Sequence, residues 1–309
     1  MATLFNRSCF LLLVVCLFSA CEDRIYPDLD DGAPVVVVDA WINSKSETQL
    51  ITLSYSQPYF DNNQPQPVSG ADVTVTSENG TVARFIDQGN GQYAWTPSDS
   101  LSFFNIGAQY LLEITANGNT YTASSTMGDA PAVDSVTYTY EEANGIFDEQ
   151  YIAEFWSRDL TGEDNTYWIK TFWNGQELNK PEELNIAWDA GFSEGGGIDG
   201  LIFIPPIRQG VTPASEEDED GNFIGALKDG DSLYVEIHSI TNEAFTFLSE
   251  MRIQIDRPGG FAELFAQPLS NLPTNISSSD KTETVLGFFN VALVKGNGRK
   301  LNAALAKRK

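Results

Sequence analysis

Val35-Val36-Val37-Val38-Asp39-Ala40-Trp41-Ile42 is the stretch on which the fold turns. β-Branched side chains are stiff at χ1 and pack well on a pleated surface, so this run is a strand. It is apolar almost without interruption, which predicts a well-buried strand. Downstream the pattern changes to alternation. Ile51, Leu53 and Tyr55 alternate with Thr52 and Ser54, and Val73 and Val75 with Thr74 and Thr76. Phe85-Ile86 and Tyr93-Ala94-Trp95 flank Gly89-Asn90-Gly91, a hairpin signal. Tyr110, Leu112 and Ile114 alternate again, and Asn117-Gly118-Asn119 turns the chain into Thr120–Ala123. About seven short strands separated by turn residues predict an immunoglobulin-like β-sandwich over residues 35–130.

Residues 131–295 predict a second β-rich domain. Val136, Tyr138 and Tyr140 alternate, Tyr151–Trp156 and Tyr167–Trp173 are aromatic-rich strands, and Leu233, Val235 and Ile237 mark another. A long irregular stretch from Glu177 to Gly230 interrupts them. One helix is expected, with Phe245, Leu248, Met251 or Arg252, and Ile255 on one face and Thr241 or Asn242 as cap. Val285–Val294 is a final apolar strand. Residues 296–309 form a basic tail that either folds back on an acidic body or ends in solvent.

Upstream of the opening strand, Arg7 precedes Phe10–Phe18, and Ser19-Ala20 leads to Cys21. A basic start, a short apolar run and small residues before a cleavage point make residues 1–20 a secretory signal peptide. The apolar run is shorter than the roughly 20 residues a membrane-spanning helix needs. Small residues placed directly before cysteine are the bacterial lipoprotein variant, so Cys21 is the expected lipidation site. Residues 21–34 are then an acidic tether. Glu22 and Asp23 fit either a surface-display signal or a solvated linker.

Cys9 and Cys16 would leave with the leader, so the mature chain has no cysteine pair for an intrachain disulfide. The formal net charge is −25, and 43 acidic residues face 18 basic ones. Such a surface repels nucleic acid and anionic membranes. The membrane attachment expected is therefore through the N-terminal lipid.

The residue types carry little catalytic signal. His238 is the single histidine, and no Gly-x-Ser-x-Gly elbow accompanies it. It falls opposite Val235 and Ile237 by alternation, which predicts a half-exposed strand residue. One histidine and three cysteines, two in the leader, cannot build a zinc site. Asp218, Asp220 and Asn222 place alternate oxygens ahead of and behind Gly221, a spacing that suits calcium or simply a solvated acidic loop. Trp156, Trp168, Trp173 and Trp188 fit a sugar-stacking platform, although at strand spacing they fit a core or sheet face as well. No other cofactor is expected, and the chain does not read as an enzyme.

The ordered set Val35–Ile42, Ile51–Ser54, Gln57-Pro58-Tyr59, Val68–Val75, Gly91-Gln92-Tyr93, Gly107–Ile114, Asn275-Ile276 and Val285–Phe289 resembles a known family. It is similar to the Bacteroidetes lipoproteins grouped as domain of unknown function 4249. Its Gly-x-Tyr pieces also resemble carboxypeptidase-regulatory-like sandwiches. Members of that family are typically encoded beside TonB-dependent outer-membrane receptors. The resemblance therefore implies an outer-membrane lipoprotein, with the cell surface slightly favoured, that assists such a receptor. It carries no catalytic residues over. A stand-alone carbohydrate-binding or adhesive module is the alternative. Asp99-Ser100-Leu101, Asp134-Ser135-Val136 and Asp231-Ser232-Leu233 also resemble an O-glycosylation motif of that bacterial group, with Ser100, Ser135 and Ser232 as acceptors.

Overall fold

The computed structural model describes residues 32–58, 61–98, 100–143, 148–162, 164–217, 223–257, 266 and 269–309. Cys21 and the Asp218–Asn222 run lie outside them, as do Asp99 and the side chain of Ser100.

The chain is mainly β and sandwich-like, as expected. Seven strands open it: β1 (Val36–Asn43), β2 (Gln49–Tyr55), β3 (Asp72–Ser77), β4 (Val82–Gly89), β5 (Gln92–Trp95), β6 (Gln109–Ala116) and β7 (Asn119–Thr126). They are followed by β8 (Ser135–Glu141), β9 (Gln150–Trp156), β10 (Thr166–Trp173), β11 (Gln176–Glu177) and β12 (Asn185–Trp188). The remainder are β13 (Glu216–Glu217), β14 (Phe223–Ile224), β15 (Ser232–Ile240), β16 (Ser277–Ser278), β17 (Val285–Ala292), β18 (Val294–Lys300) and β19 (Lys307–Arg308). The α-helices among the described residues are α1 (Ser100–Phe103), α2 (Pro205–Gln209) and α3 (Asn242–Ile255).

The first sheet runs β16-β7-β6-β3-β4-β5-β2-β1-β17. It curls until its ends meet, where the Val291 N–H donates to Ser125 Oγ at 3.0 Å. Its interior holds alternate residues of each strand, among them Val38, Leu53, Val75, Leu112 and Phe289. Tyr93 and Tyr110 are fully buried yet satisfied, donating to the carbonyls of Val68 and Phe103 respectively, each at 2.9 Å. A buried hydroxyl without such a partner would cost about 1–3 kcal/mol. The Asn117-Gly118 turn has both residues at positive φ, 54° and 83°, which joins β6 to β7 with the twist a two-residue hairpin needs.

β1 alternates between buried and partly exposed positions, and Asp39 is exposed. Val36, Val38, Ala40 and Ile42 face the closed interior, whereas Val37 and Trp41 face outward. A curled sheet has only one core face, so even an inner strand alternates. The chain also crosses the boundary placed at residue 130. β17, from the far end of the sequence, pairs in parallel with β1 from Val36↔Val285 to Asn43↔Ala292. Pro34–Lys309 forms one compact unit.

The second sheet is β11-β10-β15-β18, with β12 also on β10. β19-β8-β9 makes a third. Val136, Phe155, Tyr167, Phe203 and Val235 fill the core they share. The basic tail folds back: β18 pairs with β15, and Lys307-Arg308 pair with Thr139-Tyr140. Thr241 caps α3, its Oγ1 accepting from the Ala244 N–H at 3.2 Å. Ala244, Phe245, Phe247 and Leu248 form the buried face of α3, while Ile255 is 48% exposed. The expected stripe therefore ends a turn early, because only the first half of the helix has sheet beneath it. There Trp41 stacks on Phe288 with ring centroids 5.6 Å apart.

Candidate functional site

A cleft of about 320 Å³ opens where β10 ends. Such a volume lies at the low end of small-molecule sites. Trp173 is the last residue of β10, and Asn174-Gly175, both at positive φ, turn the chain into β11. Glu177, Leu178, Asn179 and Lys180 then form one wall. Pro213, Ala214, Ile224 and Ala226 form the other, with Lys228 beside them.

Glu183 ties the walls together. Its Oε2 accepts the Lys180 N–H at 2.9 Å, closing the short 3-10 turn Pro181–Glu183. Its Oε1 accepts the Ala214 N–H at 3.1 Å across the cleft. Charge-assisted bonds to backbone N–H groups are worth about 1.5–3 kcal/mol each in protein settings. Glu183→Ala is therefore expected to free the Ala214 amide. Hydrogen exchange at Ala214 should accelerate at least tenfold relative to the β15 amides, and unchanged protection there would contradict this role.

Lys228 is positioned by the turn into β15. Its N–H donates to Asp231 Oδ2 at 2.9 Å. Burial pushes the Asp231 carboxyl upward, but hydrogen bonds from the Asn174 amide and the Lys228 N–H help outweigh it, and the carboxyl sits below its ordinary value. Glu177 is already paired, with Lys170 Nζ at 2.7 Å.

The four tryptophans do not converge. Trp173 alone lines the cleft. Trp156 donates from Nε1 to Thr137 Oγ1 at 2.9 Å and carries the Arg208 guanidinium 4.1 Å above its ring. Trp168 packs edge-on to Trp41 at 5.2 Å under α3, with Lys170 Nζ 4.0 Å from its ring. Trp188 is buried against Phe245. No shared platform exists, because β9, β10 and β12 direct these rings to different surfaces.

His238 is buried, not half-exposed. Its face of β15 is covered by the end of the first sheet, and it lines a small cavity with Trp41, Trp168, Lys170 and Asn290. Nε2 lies 2.9 Å from Glu236 Oε2, and Lys45 Nζ lies 2.8 Å from Glu236 Oε1. Neither serine nor substrate-sized space accompanies it, so this group is a structural charge cluster.

A carboxylate group that sequence spacing could not reveal lies elsewhere. Asp159, Asp189 and Asp199 bring oxygens within 4.8 Å of one another, and could present them to a hard divalent cation. Asp159 accepts from Tyr167 Oη at 2.7 Å and from the Gly200 N–H at 3.0 Å. Burial, followed by the charge of neighbouring aspartates, pushes Asp159 and Asp189 above their ordinary values. These loops are 30 residues apart in sequence, which explains why no motif marks them.

Of the three serines in the glycosylation-like motifs, Ser135 opens β8 half-buried. Ser232 opens β15 with its hydroxyl donating to Asn174 Oδ1 at 3.3 Å. Ser100 opens α1.

The family model for the domain of unknown function DUF4249 matches residues 22–296. The chain belongs to this family. The matched range of this DUF4249 chain takes in all of the nine-stranded sheet and every wall of the cleft. No curated protein matches the chain.

Proposed function

We propose that this DUF4249 protein is a non-enzymatic, lipid-anchored outer-membrane protein that captures ligand for a TonB-dependent transporter. The observation that carries ligand capture is the cleft at Trp173, whose walls are braced by Glu183. A braced concave site that sets one aromatic ring among apolar and charged side chains suits binding of a small molecule. The anchor and the receptor rest on the Ser19-Ala20-Cys21 leader and on the family resemblance. Cys21→Ser should release the folded protein into the periplasm. Affinity purification of the lipidated protein from native membranes should bring a TonB-dependent receptor with it. Recovery of the lipoprotein with no such receptor would refute the role.

The second reading is a carbohydrate-binding surface module acting alone, and Trp173 in the cleft favours it. The readings separate on cells lacking the receptor. A stand-alone module keeps its glycan binding there, and protease shaving of intact cells would find it outside.

A further inference from the structure

We infer that the Trp173 cleft takes an acidic saccharide, a sugar ring bearing a carboxylate; this rests on the ligand-capture reading above. Three observations lead to it. The indole of Trp173 and the side chains of Leu178, Pro213, Ala214 and Ile224 give the cleft an apolar interior, on which the C–H face of a sugar ring packs. The two carboxylates lining the cleft are committed. Glu177 is held by Lys170 at 2.7 Å, and Glu183 spends one oxygen on each wall's N–H group.

The charge left over is positive. Lys228 is exposed, and its side chain makes no ion pair among the described residues, although Asp231 feels its field. Its backbone is pinned by the Asp231 turn, which places the residue at the cleft edge. The protein's net charge of −25 opposes anions at long range. At physiological salt that field is screened within about 8 Å, and at contact distance the nearest charge decides. A carboxylate on a stacked ring would meet Lys228, whereas a cation would meet carboxylates already engaged, Glu177 by Lys170 and Glu183 by two backbone N–H groups.

Calorimetry on the full chain in neutral detergent tests this with trigalacturonate and its neutral trigalactose counterpart. The acidic trimer should bind about tenfold more tightly, as one added charged hydrogen bond implies. Lys228→Gln, on an exposed turn, should bring the acidic trimer down to the neutral trimer's affinity. Trp173→Ala should weaken both. Equal binding of the two trimers, or an acidic trimer indifferent to Lys228→Gln, overturns the anionic assignment while leaving ligand capture standing. Failure of both trimers to bind overturns the saccharide assignment, and receptor co-purification then decides the transporter role separately.

Discussion

Gly287→Ala is expected to destabilise the protein by about 3 kcal/mol or more, since its added methyl would meet the closest contact of any described glycine. Gly287 sits in β17 at φ +100°, a region that L side chains rarely occupy. A Cβ there would lie 1.9 Å from the Val38 carbonyl oxygen and 2.7 Å from the Val38 nitrogen. Those atoms are backbone of β1, the strand paired with β17, and no rotamer change can move them aside. Strain at φ costs about 1–3 kcal/mol, and overpacking adds about as much again. Gly118 supplies the control. It has φ +83° but nothing within 4 Å, so Gly118→Ala should cost only the backbone strain. Urea denaturation of both variants separates the two contributions. Equal midpoints would mean that β17 does not close against β1 at this point.

Glu236→Ala is expected to cost about 3–5 kcal/mol at pH 7, the usual result of removing one partner from a buried charge cluster. Only 4% of Glu236 is exposed. Burial pushes its carboxyl up, but His238 and Lys45 together outweigh that and hold it below its ordinary value. Removing it takes the carboxylate partner from the buried His238 and leaves Lys45 with only Glu47, at 3.1 Å on the exposed side. The same cluster sets a pH dependence. Burial pushes His238 below 6.5, with Lys170 and Lys45 adding to the effect and Glu236 opposing it. A depressed histidine is protonated in the unfolded chain before the folded one. Stability is therefore full above about pH 6.5 and falls as the pH drops from there toward the folded value. Glu236 adds a second loss below 4.5, since its folded value is also depressed. Asp159 and Asp189 act in the opposite sense. Their raised values relieve a destabilisation as the pH falls toward 3.8. His238→Gln should thus remove the decline between pH 7 and 5.5 in thermal melts. A variant that keeps the wild-type slope would place the titrating group elsewhere.

Local chemistry was legible where the physical cause is local. Alternation of Val73 and Val75 with threonine, the Gly89-Asn90-Gly91 and Asn117-Gly118 turns, and the Thr241 cap each act within a few residues. Each element stands where the chain predicts it. β12 was not legible, because Asn185–Trp188 is short and buried throughout by β10, α2 and α3 rather than patterned. His238 was misplaced for a related reason. Alternation assigns it a face of β15, but the cover on that face comes from Lys45 and Trp41, nearly 200 residues earlier. The candidate site was partly legible. Trp173 was among the four tryptophans named, but Glu183, Lys228 and the aspartate group carry no spacing signal.

By itself, the amino-acid sequence determined a mainly β chain and the membership that residues 22–296 express. These follow from composition, periodicity and turn residues, which act over one or two strands. Only the tertiary structure decided that β17 closes the first sheet beside β1, that Val294 is held by Ser44 across 250 residues, and that Trp173 rather than its fellow tryptophans lines a cleft. Those outcomes depend on which distant strands share an edge, and strand pairing is made by backbone hydrogen bonds that any residue but proline can offer. The pattern of side chains therefore names the strands but not their neighbours.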